Sequence, residues 1–138
     1  MNAGSQQPLG YLLYRVAAAL RSELVSTVLE PLGLSFPEYI CLRMVSQSPG
    51  KTNAELARDA GVSPQAMNTV LRGLVRRGLV SRPDTVASGR SLPAKLTGRG
   101  AALLTDIDSG TPQAEERVLS VLDAQDRRDF RRILTALG

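Results

Sequence analysis

A polar face within residues 63–78, SPQAMNTVLRGLVRRG, combines the side-chain types that proteins use to contact DNA. Amides pair with base edges, arginine binds guanine through two hydrogen bonds, and hydroxyl or cationic groups contact phosphate oxygens. The side chains that share this face at helical spacing are Gln65, Asn68, Thr69, Arg72 and Arg76. The pattern predicts a helix that contacts DNA, and a solvated face without a ligand is the alternative.

The other face of the same segment is apolar and predicts how the helix is held. Five residues follow the i, i+3, i+4, i+7, i+8 spacing of a helix that packs against a core. They are Met67, Val70, Leu71, Leu74 and Val75. Ser63 is suited to cap the helix, Pro64 to its first position, and Gly78 to its C-terminal end.

A second short helix precedes this one. Thr52 and Glu55 form an S/T-x-x-E capping box, and the helix that they begin ends near Ala60 and Gly61. Leu56, Ala57 and Val62 are expected inside, with the small Ala57 allowing the two helices to approach closely. This spacing predicts a helix-turn-helix.

Two short strands are predicted after the helix-turn-helix. Residues 79–82 and 92–96 have strand-like patterns, a polar turn at 84–90 separates them, and Pro93 confines the second strand to an edge. A three-helix motif followed by such a hairpin is a winged helix. The expected fold class is therefore mainly α (α+β), a winged helix-turn-helix with a two-stranded wing and long N- and C-terminal helices.

Long helices are predicted on both sides of this lobe. Residues 8–30 keep a helical period until Pro31 and Gly33, and a Ser35–Glu38 capping box begins a helix to about Gln47. The first helix is too long for a small core, so a second copy of the chain is its expected partner. The apolar residues of its stripe are Leu9, Leu12, Leu13, Val16, Leu20, Leu24 and Val28.

The C-terminal part is expected to be helical as well. Thr97 caps a helix that Gly110 and Pro112 should kink or interrupt, with the pattern resuming over 114–122. Asp123 then begins a last helix. The apolar residues on one face of that helix are Phe130, Ile133, Leu134 and Leu137.

Composition excludes several function classes. The 138 residues include one cysteine and no histidine, which excludes an intrachain disulfide, the usual His-containing zinc sites, and Ser-His or Cys-His catalysis. We therefore expect no enzyme, no metal and no cofactor, and we expect Cys41 to be an inert core thiol. The absence of a signal-like or membrane-spanning apolar stretch favours a soluble, cytoplasmic protein.

The positive charge is concentrated in one part of the chain. The net charge is +4, yet residues 60–100 carry seven basic side chains against the single acid Asp84. Such localised charge suits a polyanion. A winged helix that only binds proteins remains the alternative, but a purely solubilising face would more typically pair glutamate with lysine.

The chain resembles the MarR family of transcriptional regulators from about residue 8 to 138. The resemblance is carried by LGYLLYRVAAALRSEL, PLGLSFPEYICLRM, TNAELARDAGVSPQAMNTVLRGLVRRGLVSR and LPAKLTGRG. It implies a single domain in which residues 8–34 and 98–138 form dimerisation helices and residues 35–97 form the DNA-binding lobe. It also implies a homodimer, usually a repressor, that binds pseudo-palindromic double-stranded operators and releases them when a small aromatic or phenolic anion binds.

The resemblance assigns roles to particular residues. The family wing commonly has Asp-x-Arg at its tip, where this chain has Ser88, Gly89 and Arg90. Arg90 is thus expected in the minor groove without its usual acidic partner. The expected major-groove residues are Ser63, Pro64, Gln65, Asn68, Thr69 and Arg72, and the expected phosphate contacts are Arg76 and Arg77. The expected effector-site residues are Tyr14, Arg15, Tyr39, Arg43 and Met44, whose alternative role is ordinary packing.

Overall fold

The computed structural model describes residues 6–82 and 93–138. Helices dominate these ranges, and the two strands form one antiparallel ladder, so the mainly α (α+β) class is confirmed. The elements are α1 (Leu9–Leu24), α2 (Phe36–Gln47), α3 (Asn53–Ala60), α4 (Pro64–Arg76), β1 (Val80–Ser81), β2 (Lys95–Leu96), α5 (Gly98–Leu119) and α6 (Ala124–Leu137).

The first helix continues beyond α1 with changed geometry. A π-helical turn covers Val25–Leu29, a 3-10 turn covers Glu30–Leu32, and Gly33 ends the run at φ 70°. The predicted end of this helix is therefore confirmed, but the π turn was not predicted. Val28 and Leu29, at the end of that turn, are both buried against the rest of the chain.

The predicted caps form as expected. The Ser35 hydroxyl accepts a hydrogen bond from the Glu38 amide at 3.2 Å, while the Ser35 amide donates to the Glu38 carboxylate at 3.0 Å. The Thr52–Glu55 box repeats this arrangement at the start of α3. Because each box satisfies two backbone groups that lack helical partners, the starts of α2 and α3 are fixed locally.

Gly110 and Pro112 were expected to kink or interrupt α5, and the interruption is wrong. Helix α5 is continuous across both residues, although Pro112 has no amide to donate to the carbonyl four residues earlier. Ile107 and Ala114, on either side of the proline, are both buried. Tertiary packing thus outweighs the local cost of proline, and a Cβ on Gly110 would lie 3.1 Å from Val28 Cγ2, which shows how closely the helix approaches the π turn.

The two strands are shorter than predicted, and the next helix starts directly on them. Val80 pairs with Leu96 and Ser81 with Lys95. The Thr97 hydroxyl caps α5 and also donates to the Gly78 carbonyl at 2.6 Å. The end of α4, the ladder and the start of α5 are therefore joined at one point.

One core joins the lobe to the long helices. The fully buried side chains come from α2, α3, α4, β1, α5 and the π turn, and include Leu29, Leu42, Leu56, Leu71, Leu74, Val80 and Ile107. Ala57 and Met67 are buried as predicted, but Val62 and Val75 are 45% and 38% exposed. Val62 directly follows the left-handed Gly61, in the turn between α3 and α4. Within the described ranges, none of the helices has the apolar length needed to cross a lipid bilayer.

Candidate nucleic-acid interface

Helix α4 presents the predicted polar face outward. Gln65, Thr69, Arg72 and Arg76 are exposed, whereas Met67, Leu71 and Leu74 on the opposite side are buried. In the described ranges, Arg72 and Arg76 have no hydrogen bond or ion pair to another side chain. Their guanidinium groups are therefore available for an anionic partner.

Helix α3 holds the start of α4 in place. The Asn53 side-chain amide donates to the Pro64 carbonyl at 3.2 Å, and Ser63 Oγ accepts from the Ala66 amide at 3.1 Å. Because Ser63 Oγ accepts in the cap, its own proton remains available to a phosphate oxygen. Asn53 was not predicted as part of the site. The sequence indicated only that it lies at the start of α3, between the capping-box residues Thr52 and Glu55.

The Thr69 hydroxyl is already used within α4. It donates to the Gln65 carbonyl at 3.0 Å, a bond that serine and threonine commonly make inside helices. The hydroxyl proton is therefore committed, and Thr69 offers a methyl group and an acceptor oxygen to a ligand. Such a side chain suits a thymine methyl group better than a phosphate.

Asn68 is the one member of the polar face that is half-buried. Its Oδ1 accepts a hydrogen bond of 3.1 Å from Arg82 Nη1, which comes from the residue directly after β1. From the sequence, Arg82 was predicted only as the last residue of a strand and as one of the basic residues of this region. The available sequence signal was strand alternation, which places Arg82 on the same side as the apolar Val80 and opposite Ser81.

Arg77 is bound within the chain, unlike Arg72 and Arg76. Its Nη1 lies 3.1 Å from Glu38 Oε2, so it joins the end of α4 to the start of α2. Of the predicted phosphate contacts, Arg76 is unpaired among the described residues and Arg77 is paired. Arg90, together with Asp84, Ser88 and Gly89 of the predicted wing, lies outside the described residues.

The five predicted effector residues are not all close together. Tyr39 and Arg43 lie one turn apart on α2, where Arg43 Nη2 donates to the Tyr39 hydroxyl at 3.4 Å and Arg43 also pairs with Asp108 of α5. Met44 is half-buried against the core. Tyr14 is 71% exposed on α1, and Arg15 lies 6.0 Å from the Tyr11 ring.

A pocket of 240 Å³ lies between α1, α2 and α5, and Tyr39 is the predicted residue that lines it. The Arg21 guanidinium stands 4.6 Å from the centre of the Phe36 ring at this pocket. The remaining lining residues are Ala17, Leu20, Leu24, Thr111, Ala114 and Glu115. Sequence reasoning missed Arg21 and Phe36, although Ala17, Leu20, Arg21 and Leu24 follow helical spacing on α1.

Cys41 is buried, with 1% of its surface exposed, as predicted. Burial raises the pKa of its thiol to about 11, against a smaller lowering by Arg82. The Cys41 sulfur lies 3.7 Å from the Met67 sulfur. This thiol therefore packs α2 against α4, and its reactive thiolate form is suppressed at neutral pH.

Comparison with known proteins places this geometry in a family. The MarR family model matches residues 32–91. The HTH-type transcriptional repressor Rv2887 of Mycobacterium tuberculosis is 57% identical over 138 residues, covering 100% of this chain and 99% of the relative.

Two solved structures of Mycobacterium tuberculosis Rv2887 are also similar. Its complex with DNA has a TM-score of 0.80 at 53% identity and covers 96% of this chain and 99% of that one. Its complex with salicylic acid has a TM-score of 0.80 at 56% identity and covers 98% and 99%. The identity extends over the whole length and includes the helix-turn-helix and both terminal helices, so this chain belongs to the MarR family.

Proposed function

We propose that this chain is a homodimeric transcriptional repressor that binds a pseudo-palindromic double-stranded DNA operator and is released by a small aromatic acid. The observation that carries the proposal is the outward face of α4, where amide and hydroxyl groups project from a helix-turn-helix together with guanidinium groups that no other described side chain binds. The relative that is 57% identical is a transcriptional repressor, and its structure with DNA is similar to this chain along nearly its full length.

The proposed contacts follow the chemistry of each side chain. Exposed residues at the start and middle of α4 enter the major groove, α4's last turn meets phosphates, and the wing meets the minor groove. The proposed major-groove residues are Ser63, Pro64, Gln65, Asn68, Thr69 and Arg72; the phosphate contacts are Arg76 and Arg77; the minor-groove contact is Arg90. Arg77 must exchange its Glu38 partner for a phosphate to take part.

The terminal helices supply the proposed dimer interface. Eight of the ten large apolar side chains exposed in the described ranges lie on α1, on α6 or in the turn before α6. Helix α6 has no buried residue at all, and Leu9, Tyr14 and Leu137 are each more than 70% exposed. Because leaving this much apolar surface in water is unfavourable, a second copy is its expected cover.

The domain organisation follows from this interface. We propose one MarR-type domain over residues 1–138, with dimerisation helices at 8–34 and 98–138 and a DNA-binding lobe at 35–97. Operator binding also implies a cytoplasmic location, because bacterial chromosomal DNA lies there.

The pocket between α1, α2 and α5 is the proposed effector site. Structures of the similar repressor contain salicylic acid and p-aminosalicylic acid. In this chain the pocket combines the rings of Phe36 and Tyr39 with the Arg21 guanidinium, an apolar slot with a cation for a carboxylate. Arg43 contacts the Tyr39 hydroxyl from the next turn of α2, and Met44 packs against the core. Tyr14 and Arg15 are exposed on α1, where a second copy of the chain would bring them to a ligand.

Selection of DNA from random oligonucleotides, followed by titration of the selected sequence, tests the proposal. A dimer should select two related half-sites about 10 bp apart. Affinity should fall steeply as salt rises, with a slope of about 0.9 for each neutralised phosphate. A chain that selects no sequence, or a titration that ignores salt, would instead support a winged helix that binds only proteins.

A further inference from the structure

Arg82 differs from the other arginines near the polar face because it turns inward. Side chains alternate along a strand, so Arg82 lies on the same side as the buried Val80 and opposite the exposed Ser81. Its Nε atom is buried and has no hydrogen-bond partner among the described residues. A guanidinium placed in this way is poorly suited to contact a phosphate, and its position requires another explanation.

The bond between Arg82 and Asn68 provides that explanation. Arg82 Nη1 and Asn68 Oδ1 are 3.1 Å apart. A guanidinium has only donors, so the Asn68 side chain must present its oxygen, not its nitrogen, to Arg82. The two ends of the Asn68 amide are therefore distinguished by chemistry: the oxygen is bound to Arg82, and the Nδ2 hydrogens are left for another partner.

This orientation matters for base recognition. Asparagine binds adenine by using its oxygen and its nitrogen together on one base edge. An Asn68 whose oxygen is turned back toward Arg82 offers donors outward. Outward donors match the two acceptors of guanine, O6 and N7. Adenine accepts only at N7, and its amino group requires an acceptor that such an amide does not turn outward.

We propose that Arg82 is a positioning residue that fixes the Asn68 amide with its N–H groups outward, so that Asn68 prefers guanine, which has two acceptors on its edge, over adenine. The inference rests on the proposed DNA-binding function and deepens it. Arg82 thereby sets the specificity of a position that it does not touch, and it links the base of the wing to the DNA-facing helix.

The test compares base preferences of the wild-type chain with Arg82→Leu, Asn68→Ala and the double variant, by selection from random oligonucleotides. The wild type should discriminate against adenine at one position of each half-site by about 5-fold to 150-fold. Arg82→Leu should remove most of that discrimination and leave the other positions unchanged. In the Asn68→Ala background, Arg82→Leu should have no further effect at that position. With Asn68 intact, a further variant, Arg82→Lys, should retain part of the preference because lysine still donates a hydrogen bond.

Lys95→Leu is the matched control, because Lys95 is an exposed cation on the same two-stranded ladder. It should leave the base preference unchanged. The proposal is overturned if Arg82→Leu weakens binding to all sequences equally in both backgrounds, which would make Arg82 a phosphate contact or a purely structural residue.

A measurement on the DNA-free protein separates this proposal from the proposed function. The ¹⁵N relaxation of the Asn68 side-chain amide should show a rigid group in the wild type and a mobile one in Arg82→Leu. Equal mobility in both would overturn the proposal even if specific DNA binding stands. A rigid amide in a chain that selects no DNA would contradict the proposed function, and with it the role of Arg82 in base selection, while leaving the Arg82–Asn68 contact supported.

Discussion

Gly100 of α5 lies so close to Leu79 that a methyl group added at Gly100 would be 2.1 Å from the Leu79 carbonyl oxygen. That oxygen already accepts a hydrogen bond from the Thr97 amide at 3.1 Å. The start of α5 therefore rests directly on the backbone that leads into β1, and only glycine leaves room for this approach.

Gly100→Ala should therefore destabilise the protein strongly. Overpacking against backbone atoms typically costs 1–3 kcal/mol, and we expect a loss of about 3 kcal/mol because a carbonyl cannot rotate away as a side chain can. Urea denaturation at a fixed protein concentration measures the loss. Gly98→Ala is the control: nothing lies within 4 Å of its added methyl group, so its stability should be unchanged or slightly higher.

Arg72→Ala and Arg76→Ala should weaken operator binding in different ways. Loss of a base contact at Arg72 should cost about 1–3 kcal/mol and relax the preference at one position. Loss of a phosphate contact at Arg76 should weaken all sequences alike and reduce the salt slope by about 0.9. Fluorescence anisotropy with the selected operator and single-base variants distinguishes them. Arg128→Ala on α6 is the control and should change neither the base preference nor the salt slope. If Arg72→Ala weakens binding to all sequences equally, Arg72 is a phosphate contact.

Acid should weaken the contact between α2 and α4 through Glu38. Burial raises the pKa of this carboxyl group, but hydrogen bonds from Ser35 and Arg77 lower it more, so the pKa lies below its ordinary value of 4.5. A carboxylate with a lowered pKa stabilises the folded state above the ordinary value and loses that contribution as the pH falls through the folded pKa.

Glu38→Gln tests this linkage. The difference in unfolding free energy between the wild type and Glu38→Gln should be largest at neutral pH and should shrink as the pH falls below 4.5. Denaturation curves at several pH values measure it. A difference that stays constant with pH would show that the charge of Glu38 contributes nothing.

The Cys41 thiol should be unreactive in the folded protein. Its pKa of about 11 and its burial leave little exposed thiolate at pH 7 to 8. A thiol reagent should modify the native chain far more slowly than the urea-unfolded chain, and peroxide should leave operator binding intact. Cys41→Val, a substitution of similar volume, should also bind the operator normally; rapid loss of wild-type binding in peroxide would contradict the core role.

Arg21→Met should reduce the response to salicylate while leaving operator binding without ligand intact. The substitution removes the cation beside Phe36 but keeps an unbranched apolar stem in the pocket. Operator release should then require a higher salicylate concentration than in the wild type, measured by competition titration. Arg15→Met, which changes an exposed arginine on the same helix, separates the alternatives: if it has the larger effect, the effector binds at the dimer surface instead.

Local signals in the sequence were sufficient for most helix boundaries and for the outward face of α4. The capping boxes at Ser35 and Thr52, the cap at Ser63 and the left-handed Gly61 involve residues at most a few positions apart, so their geometry follows from short-range chemistry. The course of α5 through Pro112 depends on packing against the π turn at Val28, which no local pattern encodes.

The side-chain pairings of the site were harder to predict for the same reason. Arg77 with Glu38, and Arg82 with Asn68, join residues that are 39 and 14 positions apart, and the sequence alone showed two arginines in a basic segment. Val62 was expected inside because of the helix-turn-helix spacing, yet it is 45% exposed in the turn between α3 and α4.

Because α5 is uninterrupted, one helix connects two distant parts of the molecule. Gly98, at one end, starts directly on the strand ladder, and about 14 residues later the same helix borders the Arg21–Phe36 pocket, a distance of roughly 21 Å. A tilt of about 5° at the pocket would move the far end by about 2 Å, more than a base hydrogen bond tolerates. A break at Pro112 would have separated these two regions, whereas one continuous helix connects the proposed effector pocket with the strand ladder that follows α4.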